Sequence, residues 1–449
     1  MKPSCHIIFI LIDGLGDNGV SQLNNQTPLQ YLPLKHFNAI AQAGINGVHD
    51  PVQSGLACGS DTAHLNMFGY NPFIYYNGRG AFESMGTGLQ MEVGDIAFKT
   101  NFAYVNETTN IVERRRVDRD FEKWGIPLCH ALDGIKILNK YTIRCKHATE
   151  HRCGIVLSGP NLSCNITQND PLFDNKPLME VAPLDNFPNN INTANIMNYL
   201  SKEISRILIE HPINVERKKA NLPYTNIVLM RGAGERLKCP TFYEKHHLKA
   251  FMIAPTAVIA GIGSSVGFDI KIAQGATGYY DTNYISKADT AVQFIDDYDF
   301  CFIHIKAVDD TGHDKNLSKR LEMLEKINEM VGYLVNKLKY KTTNTNKYSI
   351  AITGDHSTPI VFGEHSYEPV PFTLGLVDNI INEQEHVIMN GLQKDLMKIK
   401  DDVIRYNEVD CGCGCLGRFT GQDMMDIIKK FKVEIESIMA KHNTSNITQ

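Results

Sequence analysis

Short, continuous runs of apolar residues predict buried strands at several points along the chain. Residues 7–12, 300–305 and 348–352 are dominated by β-branched and aromatic side chains. Strands of a parallel sheet have this pattern because helices cover both faces of the sheet. Each run is followed closely by polar residues, so the carboxyl ends of these strands are predicted to carry polar loops.

Helices are predicted between the strands by apolar residues that recur at every third or fourth position. The clearest stripe consists of Leu317, Leu321, Leu324, Ile327, Val331, Leu334 and Leu338. An apolar stripe of this length packs a helix against a core. Strands that alternate with such helices predict an α/β fold, with a central, mostly parallel sheet flanked by helices.

The pattern changes between residues 94 and 246, where short strand-like segments alternate with polar and Asn/Pro-rich loops. We interpret 94–246 as an inserted α+β domain, and 1–93 together with 247–449 as one α/β domain. A chain of 449 residues is long enough for this division. The insertion carries a cationic run at 114–119, in which four of six residues are arginine.

Composition excludes several classes of function. The formal net charge is -5, so the basic excess typical of nucleic-acid binding is missing and no such partner is expected. The apolar run at 7–12 is too short for a signal peptide or a membrane span, and we expect no membrane association. Eleven scattered cysteines indicate free thiols in a reducing compartment, the cytoplasm. The cysteines at 411–415 are spaced too closely for a closed zinc site, and we interpret that segment as a loop.

Carboxylate and imidazole side chains follow the predicted strands. The candidates are Asp13, Asp309, His313, Asp355, His356 and His365. In open α/β sheets, ligands bind at the carboxyl ends of the strands, and these donor types suit divalent ions such as Mn²⁺ or Zn²⁺. Each aspartate could instead cap a helix, and each histidine could be a structural residue. Because three groups occupy similar strand-end positions, we predict a site for more than one metal ion.

A serine in a Gly/Ser-rich loop is the candidate nucleophile. Ser60 precedes a helix-like segment at 62–68, where a helix N-terminus offers free N–H groups and a positive dipole end. In that position it could hold a phosphate, or attack one if a metal lowers the pKa of its hydroxyl. The alternative is an ordinary helix-capping serine. Because the chain also carries Asp13 and the Asp/His groups, we favour a role for Ser60 in phosphate chemistry over helix capping.

Arginines are the candidates for anion binding. Arg79 lies in a predicted loop of glycines and aromatic residues, and Arg231 follows a predicted strand at 226–230. Arg79 could equally be a solvated surface residue. The four arginines at 114–119 repel one another unless some are solvated or paired, or they bind an anionic substrate.

Taken together, these motifs resemble the metal site of the alkaline phosphatase superfamily and, more narrowly, the cofactor-independent phosphoglycerate mutases of the archaeal type. The matching segments are 12–14, 59–64, 77–80, 100–103, 147–152, 231–234, 304–313, 354–357 and 365–371. They are spread over nearly the whole chain. The resemblance implies an alkaline-phosphatase-like α/β catalytic core and a substrate-binding α+β insertion.

The resemblance also implies a reaction, the interconversion of 3-phosphoglycerate and 2-phosphoglycerate in glycolysis and gluconeogenesis without added bisphosphoglycerate. Ser60 would accept the phosphoryl group as phosphoserine, and the glycerate would reorient before the group returns. Two divalent ions would be bound, one by Asp309, His313 and His365 and the other by Asp13, Ser60, Asp355 and His356. Mn²⁺ is the expected metal, and Mg²⁺, Co²⁺ and Zn²⁺ remain open.

The same resemblance implies which side chains handle the substrate. Lys306 would stabilise phosphate, although it could also be a surface lysine, and Asp170 would shuttle protons on the glycerate. The implied substrate-binding residues are Arg79, Arg115, His151, Arg152 and Arg231. Arg115 is the favoured contact for the substrate carboxylate. Closure of the insertion would exclude water from the reaction.

Two other functions remain open. The chain could be a metal-dependent phosphatase or another phosphomutase on the same core, because function resides in the site rather than in the fold. It could also be a non-catalytic binding protein, although all seven proposed ligand positions carry competent side chains. We expect a small-molecule partner and a monomer or small homo-oligomer.

Overall fold

The computed structural model describes residues 3–118, 120–385 and 389–445 of the chain. The strands are β1 (Ser4–Ile12), β2 (Gly44–Asp50), β3 (Ile96–Asn106), β4 (Ile111–Arg114), β5 (Lys136–Ile137), β6 (Tyr141–His147), β7 (Arg152–Ser158), β8 (Lys176–Pro177), β9 (Ile227–Glu235), β10 (Ala250–Ile253), β11 (Asp269–Ile270), β12 (Phe300–Ile305), β13 (Asn346–Thr353), β14 (Val370–Leu376) and β15 (Gly417–Thr420). The α-helices are α1 (Pro28–Tyr31), α2 (Lys35–Gln42), α3 (Ser60–Met67), α4 (Pro72–Tyr75), α5 (Arg79–Gly86), α6 (Glu122–Leu132), α7 (Pro188–Glu210), α8 (Pro212–Lys219), α9 (Phe242–His246), α10 (Ala257–Ser265), α11 (Tyr284–Phe294), α12 (Ala307–His313), α13 (Leu317–Lys339), α14 (Val377–Glu385), α15 (Gly391–Leu396) and α16 (Met424–Ser445). Short 3₁₀ helices occupy Ser21–Leu23, Ile295–Asp297, Cys411–Cys413 and Gly421–Asp423.

Within the described residues, eight strands form one mixed sheet in the order β11-β10-β12-β1-β13-β14-β2-β15. The strands from β11 to β13 in that order are parallel, β14 is antiparallel to both of its neighbours, and β2 pairs in parallel with β15. Helices α2, α11 and α13 contribute apolar residues to the core on this sheet, which explains why its central strands are almost entirely buried. The predicted α/β class with a mostly parallel central sheet is confirmed.

The first strand of the chain lies between two strands from its last third. Leu11 of β1 is opposite His304 of β12 and opposite Thr353 of β13. Because these three strands run in the same direction, their carboxyl ends lie side by side at one edge of the sheet. The loops that follow them are therefore brought together, although they are far apart in the sequence.

Residues 75–239 and 257–265 form a second compact unit. Among its described residues, six strands follow the order β5-β6-β7-β3-β4-β8, and β9 also pairs with β3. All of these pairs are antiparallel. Helices α6 and α7 share an apolar core with this sheet, which includes Phe102, Leu128, Ile143 and Leu200.

The units divide the chain at positions other than those expected for the inserted domain. The first unit comprises 1–74, 240–256 and 266–449, whereas the sequence pattern placed the start of the insertion at 94. The difference at the N-terminal boundary is helix α5, which contacts β3 and β9 of the second sheet. Helix α10 belongs to the same unit because it packs on α5 so closely that the Ala257 carbonyl leaves no room for a side chain on Gly86. A helical pattern alone does not show which sheet a helix covers.

Three local predictions were wrong. Arg79 begins helix α5 instead of lying in a loop, because packing overrides the poor helix propensity of the glycines around it. Asp309 and His313 lie on helix α12 instead of a loop, and their spacing of four residues puts both side chains on one face. Strand β14 was not predicted, although it is fully buried between two other strands.

No helix within 3–118, 120–385 and 389–445 is long and apolar enough to cross a membrane. All eleven cysteines lie in these ranges and are free thiols. In the segment 411–415, Cys411 is buried whereas Cys413 and Cys415 are exposed. The segment was interpreted as a loop, but Cys411–Cys413 form a short 3₁₀ helix and only Gly414 and Cys415 lie outside regular structure.

A buried glutamate in the first unit predicts a pH-dependent stability. Glu408 accepts hydrogen bonds from the hydroxyl of Thr27 at 2.7 Å and from the backbone N–H of Asp17 at 3.3 Å, and burial raises its pKa to about 7. An unfolded glutamate titrates near 4.3, so Glu408 stabilises the fold fully below about pH 4, and this contribution is lost as the pH rises through 7. We compare the free energy of unfolding of Glu408→Gln with that of the original chain. We expect the difference to shift in favour of the variant by on the order of 2 kcal/mol when the pH is raised from 5 to 8.

Urea unfolding at the two pH values measures this difference. The exposed Glu325 on α13 provides the matched control, and Glu325→Gln should follow the original chain at both pH values. If the free energies of unfolding of Glu408→Gln and the original chain differed by the same amount at pH 5 and at pH 8, the prediction would be wrong.

Candidate metal centre

The carboxyl edge of the central sheet brings the predicted ligands together. Asp13 directly follows β1, Asp309 lies in the first turn of α12 just after β12, and Asp355 and His356 follow β13. Each of these four side chains is at most 1 % exposed. Ser60 is the first residue of helix α3, and its side chain points into the same cluster.

Ser60 lies against one carboxylate and one imidazole. Its Oγ is 3.4 Å from Oδ1 of Asp13 and 3.2 Å from Nε2 of His356. The same nitrogen of His356 lies 3.4 Å from Oδ2 of Asp355. Asp13, Asp355 and His356 each present one ligand atom within 4.8 Å of the others. The hydroxyl of Ser60 therefore borders a group that could hold one metal ion.

A second group of ligand atoms surrounds Asp309. Its Oδ1 lies 3.5 Å from Nε2 of His365, and its Oδ2 lies 3.3 Å from Nε2 of His313. Asp309, His356 and His365 form another set of ligand atoms within 4.8 Å of one another. The rings of His356 and His365 are stacked with centroids 3.6 Å apart. His356 thus borders both groups, and all seven predicted ligand side chains lie in one cluster.

Backbone carbonyls orient two of the histidines toward Asp309. Nδ1 of His313 donates to the carbonyl oxygen of Gly363 at 2.9 Å, and Nδ1 of His365 donates to that of Cys58 at 2.8 Å. A neutral ring that donates through Nδ1 carries a lone pair on Nε2, which here faces a carboxylate. At His313 the facing carboxylate of Asp309 favours a proton on Nε2 and raises the pKa of the ring to about 9, and a divalent cation would take the place of that proton. The donor types and their orientation therefore fit divalent metal ions.

The carboxylates of the cluster lack sufficient partners. Oδ2 of Asp355 is buried and has no hydrogen-bond partner among the described residues, although buried polar atoms are ordinarily bonded. Burial and then the neighbouring Asp355 raise the pKa of Asp13 to about 7, against the opposing effect of Lys306. A bound cation would supply a partner for Oδ2 of Asp355 and would favour the charged form of Asp13.

Lys306 lies at the edge of this cluster. Its Nζ forms an ion pair with Asp309 and lies 3.6 Å from Oδ2 of Asp13 and 3.7 Å from Oδ1 of Asp310. Burial opposes the charged form of Lys306, but the three carboxylates outweigh it and raise the pKa. With its side chain 22 % exposed, Lys306 is a charged member of the cluster and not a solvated surface lysine.

Two buried histidines of the cluster were not among the predicted residues. Nε2 of His304 lies 3.1 Å from Oδ2 of Asp13, and Nδ1 of His64 lies 3.6 Å from Oδ2 of Asp355. Burial lowers the pKa of His64 to about 4 and lowers that of His304 as well, so both rings are neutral at neutral pH. His304 lies inside an apolar strand and His64 inside a helix. Neither follows the end of a strand, which was the signal that marked the other ligand candidates.

A buried arginine holds the loops that carry the predicted ligands. Arg320, on α13, is 0 % exposed. Its Nη2 donates to the carbonyl oxygens of residues 14–16 at 2.8 to 3.0 Å, and its Nη1 donates to that of Thr358 at 3.1 Å. Its Nε lies 3.0 Å from Oδ2 of Asp17 as an ion pair. One guanidinium thus fixes the loop after β1 and the loop after β13.

The second unit carries a cationic cluster around Asp170. This side chain is 0 % exposed and accepts two hydrogen bonds from Arg115, from Nε and from Nη2, both at 2.6 Å. Nε of Arg231 lies 3.5 Å from the same carboxylate. Burial opposes the charged form, but the bonds from Arg115 outweigh it and lower the pKa of Asp170. Asp170 is therefore ionised and paired with both arginines.

A second carboxylate of this unit, Glu83, holds two further cations. Its Oε1 lies 2.9 Å from Nε of Arg79 and 3.1 Å from Nζ of Lys99. Lys99 of β3 is directly opposite Arg231 of β9, and it carries no local sequence signal that distinguishes it from a surface lysine. Burial lowers the pKa of Lys99 to about 8, and Arg79 and Arg231 add to this effect. Four cations around two carboxylates leave a net positive charge, which fits an anionic ligand.

The remaining candidates of the second unit lie near the turn between β6 and β7. His151 is 2 % exposed with Nδ1 4.0 Å from Oε2 of Glu150, and burial followed by Arg152 lowers its pKa to about 4. Arg152 begins β7 and is opposite Asn101 of β3. Of the arginine run at 114–119, residues 114 and 116 are exposed and residue 119 lies outside the described residues. Arg115 is the member of the run that pairs with Asp170.

Similar proteins identify the family. Residues 41–214 match the family model of 2,3-bisphosphoglycerate-independent phosphoglycerate mutase. A protein of that name from Sulfurisphaera tokodaii is 41 % identical over 378 residues, which cover 84 % of this chain and 90 % of the relative. Another, from Methanopyrus kandleri, is 32 % identical over 437 residues, which cover 97 % and 98 %. The chain belongs to the 2,3-bisphosphoglycerate-independent phosphoglycerate mutase family.

Solved structures agree with membership of this mutase family. A cofactor-independent phosphoglycerate mutase from Thermoplasma acidophilum has a TM-score of 0.68 at 29 % identity, covering 96 % of this chain and 100 % of that one. A protein from Pyrococcus horikoshii has a TM-score of 0.75 at 30 % identity, covering 97 % and 98 %. The family indicated by the sequence motifs is thereby confirmed.

Proposed function

We propose that this chain is a working phosphoglycerate mutase, an isomerase that interconverts 3-phosphoglycerate and 2-phosphoglycerate without 2,3-bisphosphoglycerate. The observation that carries the proposal is the position of Ser60, whose hydroxyl faces the carboxylates and imidazoles at the carboxyl edge of the sheet. Relatives that match most of the chain bear the same name. A nucleophile held among such side chains suits phosphoryl transfer, which depends on positioning and charge stabilisation.

Two divalent metal ions are part of this proposal. The side chains proposed to hold them are Asp309, His313 and His365 for one ion, and Asp13, Ser60, Asp355 and His356 for the other. Mn²⁺ is the proposed metal, with Mg²⁺, Co²⁺ and Zn²⁺ as alternatives, because oxygen and imidazole donors accept each of them. When bound, the ions would lower the pKa of the Ser60 hydroxyl and offset the charge of the transferred phosphoryl group.

The proposed reaction consists of two transfers at one serine. Oγ of Ser60 attacks the phosphorus of 3-phosphoglycerate, the bond from phosphorus to the 3-oxygen breaks, and the serine proton ends on that oxygen. The bound glycerate then turns, and its 2-oxygen attacks the phosphorus of phosphoserine. The bond from phosphorus to Oγ breaks, and the proton of the 2-hydroxyl passes to Oγ of Ser60. Lys306 is proposed to stabilise the phosphoryl oxygens, which its charge and position among the carboxylates support. Glycerate must stay bound between the transfers, because its loss would turn the reaction into hydrolysis.

The cationic cluster of the second unit is proposed to bind the substrate carboxylate. Arg115 and Arg231 are the first candidates, and Arg79, His151 and Arg152 are the further ones. Asp170 is proposed to position the guanidinium of Arg115, in place of the proton shuttle that the family resemblance implied. Its pairing and lowered pKa support this role, because an ion-paired carboxylate is a poor general base.

Replacing Arg115 with lysine is expected to raise KM for 3-phosphoglycerate by about 10- to 100-fold, with a smaller effect on kcat. Lysine keeps the charge but lacks the guanidinium plane, in which Nε and Nη2 donate to Asp170 and the other N–H groups of Nη1 and Nη2 match a carboxylate. Steady-state kinetics at saturating Mn²⁺ measure the change. The matched control is Arg206→Lys, because Arg206 is an exposed arginine of the same unit that pairs with Glu203. Equal KM values in both variants would exclude Arg115 from substrate binding.

The proposed function is tested with purified protein, Mn²⁺ and 3-phosphoglycerate, with enolase as the coupling enzyme and no added bisphosphoglycerate. We expect formation of 2-phosphoglycerate, loss of activity with EDTA and recovery when Mn²⁺ is returned. Release of inorganic phosphate without 2-phosphoglycerate would indicate a phosphatase instead. No reaction with Mn²⁺, Mg²⁺, Co²⁺ or Zn²⁺ would indicate a non-catalytic member of the family.

A cytoplasmic location is also proposed. All eleven cysteines are free thiols, which a reducing compartment maintains. We further propose a monomer or a small homo-oligomer, which sedimentation of the purified chain would distinguish.

A further inference from the structure

Three buried cysteine thiols of the second unit converge on one point. Cys129 lies on α6, Cys145 on β6 and Cys153 on β7. Their exposed fractions are 1 %, 4 % and 3 %, and the three sulfurs all lie within 4.8 Å of one another. Because the residues belong to three different elements, the tertiary fold creates this approach.

The strand register explains how two of the thiols share one face of the sheet. Cys153 is directly opposite His147 in the antiparallel ladder of β6 and β7. Cys145 precedes His147 by two residues, so its side chain points to the same side. Asp133, which directly follows α6, accepts a hydrogen bond from the backbone N–H of Cys145 at 2.8 Å. This bond holds the end of α6, and with it Cys129, beside the two strands.

A buried cysteine can act simply as a small apolar side chain, and all three thiols line the apolar core of this unit. The convergence of the three sulfurs goes beyond such packing. In addition, Oγ1 of Thr100 lies 2.8 Å from Sγ of Cys153. Burial opposes ionisation of Cys153, but hydrogen bonds from Cys129 and Cys145 outweigh it and lower the pKa of this thiol. Hydrogen bonds among the three sulfurs thus favour one thiolate within the group, and the thiolate is the form that binds metals.

We propose that Cys129, Cys145 and Cys153 form a binding site for one soft, thiophilic metal ion of the Cu(I) class. Thiolate sulfur selects soft ions, whereas the carboxylates and imidazoles of the metal centre suit harder divalent ions. Zinc in structural sites takes four ligands, but within the described residues this group has three members. Three sulfurs match an ion that accepts three-coordinate thiolate ligation.

The spacing of the sulfurs is close to what such an ion requires. Metal–thiolate bonds of about 2.3 Å place three sulfurs around one ion about 4 Å apart. The three sulfurs already lie within 4.8 Å of one another, so small side-chain rotations close the site. Each thiol that binds releases its proton to solvent as its bond to the ion forms, and no oxidant or reductant is consumed. The bound ion would link α6 to β6 and β7 and stabilise the second unit.

The test is an anaerobic titration of the full-length, EDTA-treated protein with Cu(I). We expect one tightly bound ion per chain, seen as a copper–thiolate absorption band, and three sulfur neighbours in X-ray absorption at the copper edge. Cys129→Ala, Cys145→Ala and Cys153→Ala should each weaken binding by about tenfold or more, the effect of losing one strong ligand. The X-ray absorption measurement uses the unaltered protein, so it decides the question even where a variant fails to fold.

The other cysteines provide the controls. The double variant Cys413→Ala, Cys415→Ala removes two exposed thiols and should bind Cu(I) as the original chain does. Cys58→Ala removes the thiol beside the metal centre, which donates to the carbonyl oxygen of Asp355, and should also leave the copper band unchanged. Fewer than three sulfurs around copper, or a band that survives the three core substitutions combined, would overturn the proposal. The mutase assay does not enter these readouts, so this site and the proposed function fail or succeed separately.

Discussion

Replacing Ser60 with alanine is expected to abolish phosphoglycerate mutase activity, with kcat lowered by about 10⁴-fold or more. Oγ of Ser60 lies 3.2 Å from Nε2 of His356 and 3.4 Å from Oδ1 of Asp13. Alanine offers no oxygen at this position to accept the phosphoryl group, and the uncatalysed transfer is very slow. The enolase-coupled assay at saturating Mn²⁺ measures the effect, so that a weakened metal site is not mistaken for the loss of the nucleophile.

Thr62 provides the matched control for Ser60. It lies in the same turn of α3, and its hydroxyl donates to the carbonyl oxygen of Gly59 at 3.0 Å. Thr62→Ala should retain most of the activity. In the original chain, acid quenching after incubation with ³²P-labelled 3-phosphoglycerate should leave label on the peptide that contains Ser60. Label on another residue, or near-normal activity in Ser60→Ala, would exclude Ser60 as the nucleophile.

Replacing Arg320 with methionine is expected to lower the free energy of unfolding by about 3 to 5 kcal/mol and to weaken Mn²⁺ binding. The guanidinium donates to backbone carbonyls in the loops after β1 and β13 and pairs with Asp17. Methionine has a similar length but no donor, so the backbone carbonyls lose the hydrogen bonds from the guanidinium and Asp17 loses its buried counter-charge. Because these loops carry Asp13 and Asp355, their displacement should reach the proposed metal ligands.

Urea unfolding and Mn²⁺ titration by calorimetry measure the two effects of Arg320→Met. Lys326→Met is the control on the same helix, because Lys326 is 49 % exposed and pairs with Glu322 on the surface, where an ion pair contributes roughly 1 kcal/mol or less. Arg320→Lys keeps the charge and should retain part of both stability and metal affinity. If Arg320→Met lost stability but bound Mn²⁺ as tightly as the original chain, Arg320 would be a structural residue without a role in the metal site.

The positions of the main strands and helices were predictable because their signals are local. The apolar run at 300–305 coincides with β12 (Phe300–Ile305), and the stripe from Leu317 to Leu338 coincides with α13 (Leu317–Lys339). Both signals follow from the regular spacing at which the side chains of a strand or a helix face the core. The polar residues after β1, β12 and β13 were equally visible in the chain, since they directly follow these strands.

Contacts between distant segments were not predictable in this way. Arg320 occupies a polar position in a helix with a clear apolar stripe, and only the fold shows that its guanidinium reaches the loop after β1. Lys99 lies within a strand, and its neighbour Arg231 is supplied by the register of β3 with β9. The thiols of Cys129, Cys145 and Cys153 carry no spacing that marks a site, because a helix and two strands meet to form it.

The sequence by itself determined the chemistry of this protein, namely carboxylates and imidazoles at strand ends, a serine at a helix N-terminus and arginines in the middle of the chain. These features depend on side-chain type and short-range periodicity, which need no knowledge of the fold. The tertiary structure decided which of them meet. Placing β1 between β12 and β13 brings Asp13, Asp309 and Asp355 into one cluster. Strand order depends on how the whole chain packs, so no local pattern contains it.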